Sequence, residues 1–293
     1  MRALRRGGSR RAEEPRLKPF ANLVDKLTGR SPEPGDALRV LPDAARAAVE
    51  VPRLDFAVVG AMKCGTTTLV RALSAHEDVF LPEREVHFFD DHASWLSVWR
   101  DGGIDPERLH QEYGRHLETD RRLRGSKTPS YLASAVTLER LSRLHPQARV
   151  VVMLRDPVAR AQSHWNHLVR ARDAGRMGRE TVSPTLSEHL LHNAWKLERA
   201  RLPESEISLH NILHRGLYDV HLRNVHRFFP RDRVLVLLLD DLRADTPGFL
   251  RRVCAFLDVP YRDALLAGAA RGEEARHAHH EVLPVPVVAY LRE

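Results

Sequence analysis

The sequence predicts an α/β protein, a P-loop-like three-layer sandwich whose central, mainly parallel sheet is flanked by helices. Three observations predict it. Short apolar runs at Phe56 to Val59 and Val150 to Leu154 lack the polar alternation of a half-exposed strand and read as buried parallel strands, and Arg233 to Leu239 reads as a third apolar strand. Segments with apolar residues at helical spacing lie between these runs, the alternation from which parallel sheets are built. The first two runs each end in a segment suited to anions, and ligands of such sheets sit beyond the carboxyl ends of the strands.

Taken in order, residues 1–52 read as a basic, Pro- and Gly-rich, disordered extension, and 53–293 as the folded domain. Phe56-Ala-Val-Val-Gly-Ala-Met-Lys-Cys-Gly-Thr-Thr-Thr68 reads as strand, glycine-bounded loop and helix. Glu83 to Asp90 is taken as an extended segment, and residues 92–123 as irregular or helical cover. Gly125 to Pro129 has turn chemistry. A helix is expected from Ser134 to His145. Asp156 as N-cap and Pro157 as first residue open another, to about residue 172. A polar, mobile loop is expected over 173–185, then helices over 186–200 and 211–229. Thr246 is placed as the cap of a helix from Pro247 to Leu257, and a short helix closes the chain at 286–292.

The net charge is +7 with an isoelectric point near 9.8, which attracts acidic partners. Two distant cysteines, Cys64 and Cys254, give no disulfide framework and suit a reducing, cytoplasmic compartment. His277, His279 and His280 lack a partner pattern for zinc and read as loop chemistry. No apolar run is long enough for stable membrane insertion, and no apolar region follows the basic start to make an export signal.

The loop at 60–68 carries the chemistry. The first amides of a helix lack partners and meet the positive end of its dipole, so an anion sits well there. Gly60 and Gly65 let the backbone approach it, Thr66, Thr67 and Thr68 add hydroxyls, and Lys63 adds a charge. A nucleoside-triphosphate loop would need Lys directly after the second glycine, where Thr66 stands. The plain alternative is a tight strand-to-helix turn with a solvent lysine.

Three further constellations stand beside it. Arg155 at a strand end and Ser163 two helical turns later can face one crevice and grip a phosphate, unless Arg155 only pairs with Asp156. Glu85 and His87, two apart in an extended segment, share a face and suit proton transfer, unless both are merely solvated. Lys127, one of five lysines, stands among small hydroxyl residues at a turn, where it can reach an anion or lie on the surface.

Together these motifs resemble, in order over about residues 54–260, the sulfotransferases that use 3′-phosphoadenosine-5′-phosphosulfate (PAPS), of the heparan-sulfate type and their bacterial relatives. Gly60-Ala-Met-Lys-Cys-Gly-Thr-Thr67 resembles the 5′-phosphosulfate loop and Glu85-Val-His-Phe-Phe-Asp90 the catalytic segment. Lys127-Thr-Pro-Ser-Tyr131 resembles the second lysine segment, and Leu154-Arg-Asp-Pro157 with Ser163 the 3′-phosphate motif. The resemblance implies that Lys63, Cys64, Gly65, Thr66, Thr67 and Thr68 surround the 5′-phosphosulfate, and that Arg155 and Ser163 hold the 3′-phosphate. It implies Glu85 as general base, His87 as its assistant, and Lys63 and Lys127 as neutralisers of the leaving group, with no metal. The acceptor implied is a hydroxyl on a carbohydrate or small molecule, met by a soluble enzyme without nucleic acid.

Two other classes remain beside this one: a nucleotide kinase, dependent on magnesium, and a non-catalytic basic module for glycan or nucleic acid, whose binding would fall steeply with salt. The sequence also departs from the family. Cys64 stands where relatives often have glycine, and the nucleotide-closing loop, often pinned by a disulfide, is matched here only by Arg271, Arg276 and the histidines.

Overall fold

The computed structural model describes residues 51–100, 103–178, 181–199, 211–270 and 281–292. The expected disordered extension lies almost wholly outside the described residues, as do Arg271, Arg276, His277, His279 and His280.

Strand β1 spans Phe56–Gly60 and every residue in it is buried, which is why the run is apolar throughout. Helix α1, Thr66–Ser74, follows the loop. The short β2, Val79–Phe80, comes next. Helix α2, His92–Ser97, the antiparallel pair β3 (Trp99–Arg100) and β4 (Gly103–Ile104), and helix α3, Pro106–Glu112, come next and add Trp95, Ile104 and Leu109 to the main core. Strand β5 is Leu123–Lys127 and helix α4 is Ala135–Leu144. Strand β6 is Arg149–Leu154 and helix α5 is Pro157–Asp173. Helices α6, Leu186–Arg199, and α7, Tyr218–Phe228, precede strand β7, Val234–Leu238. Helices α8 (Leu239–Ala244), α9 (Thr246–Leu257), α10 (Ala264–Ala270) and α11 (Val285–Arg292) complete the described chain.

The five-stranded sheet has the order β2-β5-β1-β6-β7 and every neighbouring pair is parallel. Helices on both faces make the three expected layers: α10 lies against α1, and α4 against α7. The main core runs from Phe56 and Val58 through Leu138 and Val151 to Leu250. A second apolar cluster, with Trp165, Leu186, Leu190 and Ile212, ties α6 and the 211–213 turn to the outer side of α5.

Four expectations are corrected. The turn-like 125–129 is in its first half strand β5, in register with β1 through Phe56 opposite Gly125 and Val58 opposite Lys127. Gly125 is there for packing: a Cβ on it would lie 2.2 Å from Cζ of Phe56. Glu83 to Asp90 is an irregular segment ending in a turn, not an extended strand. Residues 211–217 are turns and a single 3₁₀ turn at His214–Gly216, and the helix begins only at Tyr218. The cap of α9 is Asp245, whose carboxylate accepts the Gly248 amide at 2.9 Å, while the Thr246 hydroxyl bonds back to Leu242. The third apolar run is a strand as expected, β7, at the sheet's edge, and it leaves Val236 and Leu238 exposed.

Candidate functional site

β1, β5 and β6 end side by side, and the residues that follow each end make one crevice. After β1 the chain turns through Lys63, at φ 67°, and Gly65, at φ 82°, both in the left-handed region. Gly65 is the residue before α1, and no side chain caps that helix. A Cβ at Gly65 would also lie 2.5 Å from Cδ1 of Leu239, so glycine is required here twice over. The amides of Thr66, Thr67 and Thr68 are thus the free first donors of a helix. Thr66 is buried, Thr67 exposed and Thr68 in between. The loop is held to the sheet by the Ala61 amide, which donates to the Met153 carbonyl at 2.7 Å.

Cys64 turns inward. Its Sγ lies 3.5 Å from the Tyr218 hydroxyl, and burial pushes the thiol's pKa up. It therefore stays protonated and packs the underside of the loop, so only its backbone faces a ligand.

The segment after β5 holds the Glu85 loop in place. Thr128 Oγ1 donates to the Val86 carbonyl at 3.1 Å, and the Tyr131 hydroxyl donates to the same oxygen. Arg140 reaches across to the Phe89 carbonyl at 2.9 Å. These bonds hold Val86, Phe88 and Phe89 inward and leave Glu85 and His87 outward. Glu85 Oε1 lies 2.7 Å from Lys127 Nζ, and Glu85 Oε2 lies 3.6 Å from His87 Nε2. The other ring nitrogen of His87 is 3.0 Å from Asp90 Oδ2, and the Ser130 hydroxyl donates to that same oxygen. The Asp90 bond raises the pKa of His87 against the opposing effect of burial.

After β6 comes Arg155, half buried, whose Nε has no hydrogen-bond partner among the described residues. Its pKa is lowered, first by burial and then by the Arg243 guanidinium. Asp156 does not neutralise it: that carboxylate accepts the Ala159 amide at 2.8 Å as the cap of α5. Ser163 is buried on α5, two turns into the helix. Lys63 lies where the fields of these groups overlap. Its pKa is lowered, first by burial and then by Arg170, Lys127 and Arg155, with Glu85 alone opposing.

The structure therefore brings Lys63, Glu85, His87 and Lys127 to one place, with Arg155 within electrostatic reach of Lys63. Sequence reasoning missed four participants. Asp90 was quoted inside its motif without a role, although its i+3 spacing from His87 was available. Ser130 and Tyr218 carried no signal, because each meets its partner across a long stretch of chain. Arg170 follows Ser163 by seven residues, the spacing of one helix face, and that signal could have found it.

Comparison with known proteins bears on this crevice. The sulfotransferase domain family matches residues 53–280. The chain is 29% identical over 201 residues to mouse heparan sulfate glucosamine 3-O-sulfotransferase 3A1, a match covering 68% of this chain and 44% of that protein. Against human heparan sulfate glucosamine 3-O-sulfotransferase 3B1 the figures are 28%, 68% and 45%, so the chain spans less than half the length of these relatives. Among solved structures, a sulfotransferase from Alicyclobacillus acidocaldarius superposes with a TM-score of 0.54 at 29% identity, covering 72% of this chain and 83% of that one.

Proposed function

The chain belongs to the sulfotransferase domain family, and from that premise we propose that it moves a sulfuryl group from PAPS to an acceptor hydroxyl on a carbohydrate or a glycosylated metabolite. One observation carries the reading: the Glu85 carboxylate is held between Lys127 and His87 beside an uncapped helix N-terminus.

The residues present fit an anionic donor. The loop offers helix amides that no side chain caps, behind a left-handed glycine, and Arg155 keeps a buried Nε without a partner among the described residues. Lys63 and the amides of Gly65 to Thr67 would hold the 5′-phosphosulfate, with Thr68 beside them, and Arg155 and Ser163 the 3′-phosphate. The donor supplies an activated sulfuryl group. Glu85 takes the proton from the acceptor hydroxyl, and His87, fixed by Asp90, orients that hydroxyl. Lys63 and Lys127 meet the negative charge that grows on the departing bisphosphate, so positioning and fixed charge do most of the work, as in phosphoryl transfer. With two lysines in that role the reading assigns no metal.

Replacing Glu85 tests the base. Glu85→Gln is expected to bind 3′-phosphoadenosine-5′-phosphate as the parent does and to lose turnover by roughly 10²-fold or more. If His87→Ala is crippled while Glu85→Gln turns over normally, the two roles are reversed.

A further inference from the structure

Two arginines lie buried beneath the 60–65 loop, and no carboxylate of the described residues bonds to either. Arg160, one turn into α5, donates to the Ile212 carbonyl and, at 3.4 Å, to His164 Nδ1, while its Nε has no partner among the described residues. Gly216 makes room for it: a Cβ there would lie 3.0 Å from Arg160 Nη2. Arg215 stands beside that glycine in the 3₁₀ turn. Among the described residues its side chain has one hydrogen bond, from Nη1 to Met62 Sδ at 3.1 Å, and a thioether sulfur is a weak acceptor. Its Nε is buried and likewise without a partner.

The polar groups around these guanidiniums supply no negative charge. Burial raises the pKa of the Cys64 thiol and of the Tyr218 hydroxyl, so both stay protonated. Burial also lowers the pKa of His164, His214 and His221, the last to about 4, so all three rings are neutral. Arg215 is pushed down to about 10, first by burial and then by Arg160, with Asp90 alone opposing. It therefore keeps its charge at neutral pH. Met62, which it touches, directly precedes Lys63 on the loop, and Asp90 is the residue that fixes His87. A buried cation without a counter-charge weakens a fold. Beneath an anion loop it also raises the positive potential in advance, with no reorganisation when the anion arrives.

We propose that Arg215 is a positioning residue for the transfer: its uncompensated charge beneath the loop draws the donor's 5′-phosphosulfate onto Lys63 and the helix amides, and favours the charge that builds on the 5′-phosphate as it departs. This rests on the sulfotransferase reading above and adds to it a residue outside the four motifs. In the step, the acceptor oxygen bonds to sulfur while the bond from sulfur to the 5′-phosphate oxygen breaks. Glu85 takes the acceptor's proton, and the electron pair of the broken bond stays on the phosphate oxygen. The 5′-phosphate thereby gains one negative charge, so a fixed cation beneath it stabilises the late arrangement more than the bound donor.

The test uses Arg215→Met in the full chain, which removes the charge and keeps an unbranched side chain. Calorimetry compares 3′-phosphoadenosine-5′-phosphate with adenosine 3′-phosphate, which lacks the 5′-group, and urea unfolding is followed without nucleotide. Affinity for the bisphosphate should fall by roughly ten-fold or more, the scale of one charge acting over several ångströms inside a protein. Affinity for adenosine 3′-phosphate should be unchanged, and the urea midpoint equal or higher. Arg215→Lys, which keeps the charge, should retain most of the bisphosphate affinity. If Arg215→Met does not fold, Arg215→Gln, neutral but polar, is put through the same nucleotide comparison. An unchanged bisphosphate affinity, an equal loss for both nucleotides, or a loss in Arg215→Lys as large as in the neutral variant would overturn the proposal. A lower urea midpoint in Arg215→Met and Arg215→Gln alike would assign Arg215 to holding the 211–217 turn and overturn it too. Each of these leaves the family reading standing, whereas a parent chain that binds neither nucleotide would remove that reading and the proposal together.

Discussion

The Asp90 carboxylate lies 3.0 Å from His87 Nδ1 and accepts the Ser130 hydroxyl, so it fixes both the ring's orientation and its charge. Because Asp90 raises the pKa of His87 above the ordinary value of 6.5, the bond stabilises the folded loop fully below that pH. That stabilisation is lost as the pH rises through the raised value. Asp90→Asn should therefore let His87 release its proton at lower pH, seen as a downward shift of its ring resonance titration, with kcat reduced more than nucleotide affinity. An unmoved titration would show that Asp90 does not set the ring's charge. Lys63 carries the opposite sign. Burial and neighbouring cations hold its pKa below 10.5, so in the free protein it loses charge earlier than an ordinary lysine. Affinity for 3′-phosphoadenosine-5′-phosphate should then fall as pH rises into the alkaline range, and Lys63→Arg, which keeps its charge, should flatten that fall. A fall of equal steepness in both proteins would place the titration elsewhere. Lys63, Glu85 and His87 were legible because loop spacing and an i, i+2 pair are local signals. Ser130 and Tyr218 were not, because their contacts to Asp90 and Cys64 exist only once the chain is folded.

Strand β5 shows where element-level reading fails and why. Its sequence, Leu-Arg-Gly-Ser-Lys, has one large apolar residue and the composition of a turn, yet it pairs with both β1 and β2. Gly125 leaves room for the Phe56 ring, so bulk that β5 lacks is supplied by its neighbour. Gly125→Ala should overpack this contact and cost about 1–3 kcal/mol, read as a lower denaturant midpoint at unchanged slope. An unchanged midpoint would mean that Phe56 can move aside. The same neighbour-dependence hid the start of α7: the 211–217 stretch is shaped by Asn193, which accepts the Ile212 amide at 2.6 Å, and by Arg160, which donates to the Ile212 carbonyl. Where caps and prolines act locally, as at Asp156 and Pro157, the helix began where the sequence placed it.

At the scale of the whole molecule, the three runs that predicted a parallel sheet are its β1, β6 and β7, and the order β2-β5-β1-β6-β7 sets the ends of β5, β1 and β6 side by side. That adjacency turns separate motifs into one crevice: Lys127 follows from β5, Lys63 from β1 and Arg155 from β6. Lys63, Lys127, Arg155 and Arg170 thus lie within electrostatic reach of one another around the loop, with Glu85 paired to Lys127 among them. The net charge of +7 is a sum over the whole chain and does not show where these cations gather. The donor site is what the proposed chemistry depends on first. Its most direct test is calorimetric titration of the full chain with 3′-phosphoadenosine-5′-phosphate, without and with magnesium, with ATP as the comparison and Lys63→Ala as the control. The expected result is one-to-one binding of the bisphosphate that Lys63→Ala weakens strongly, and little affinity for ATP. Preference for ATP with magnesium, or bisphosphate binding indifferent to Lys63, would contradict it.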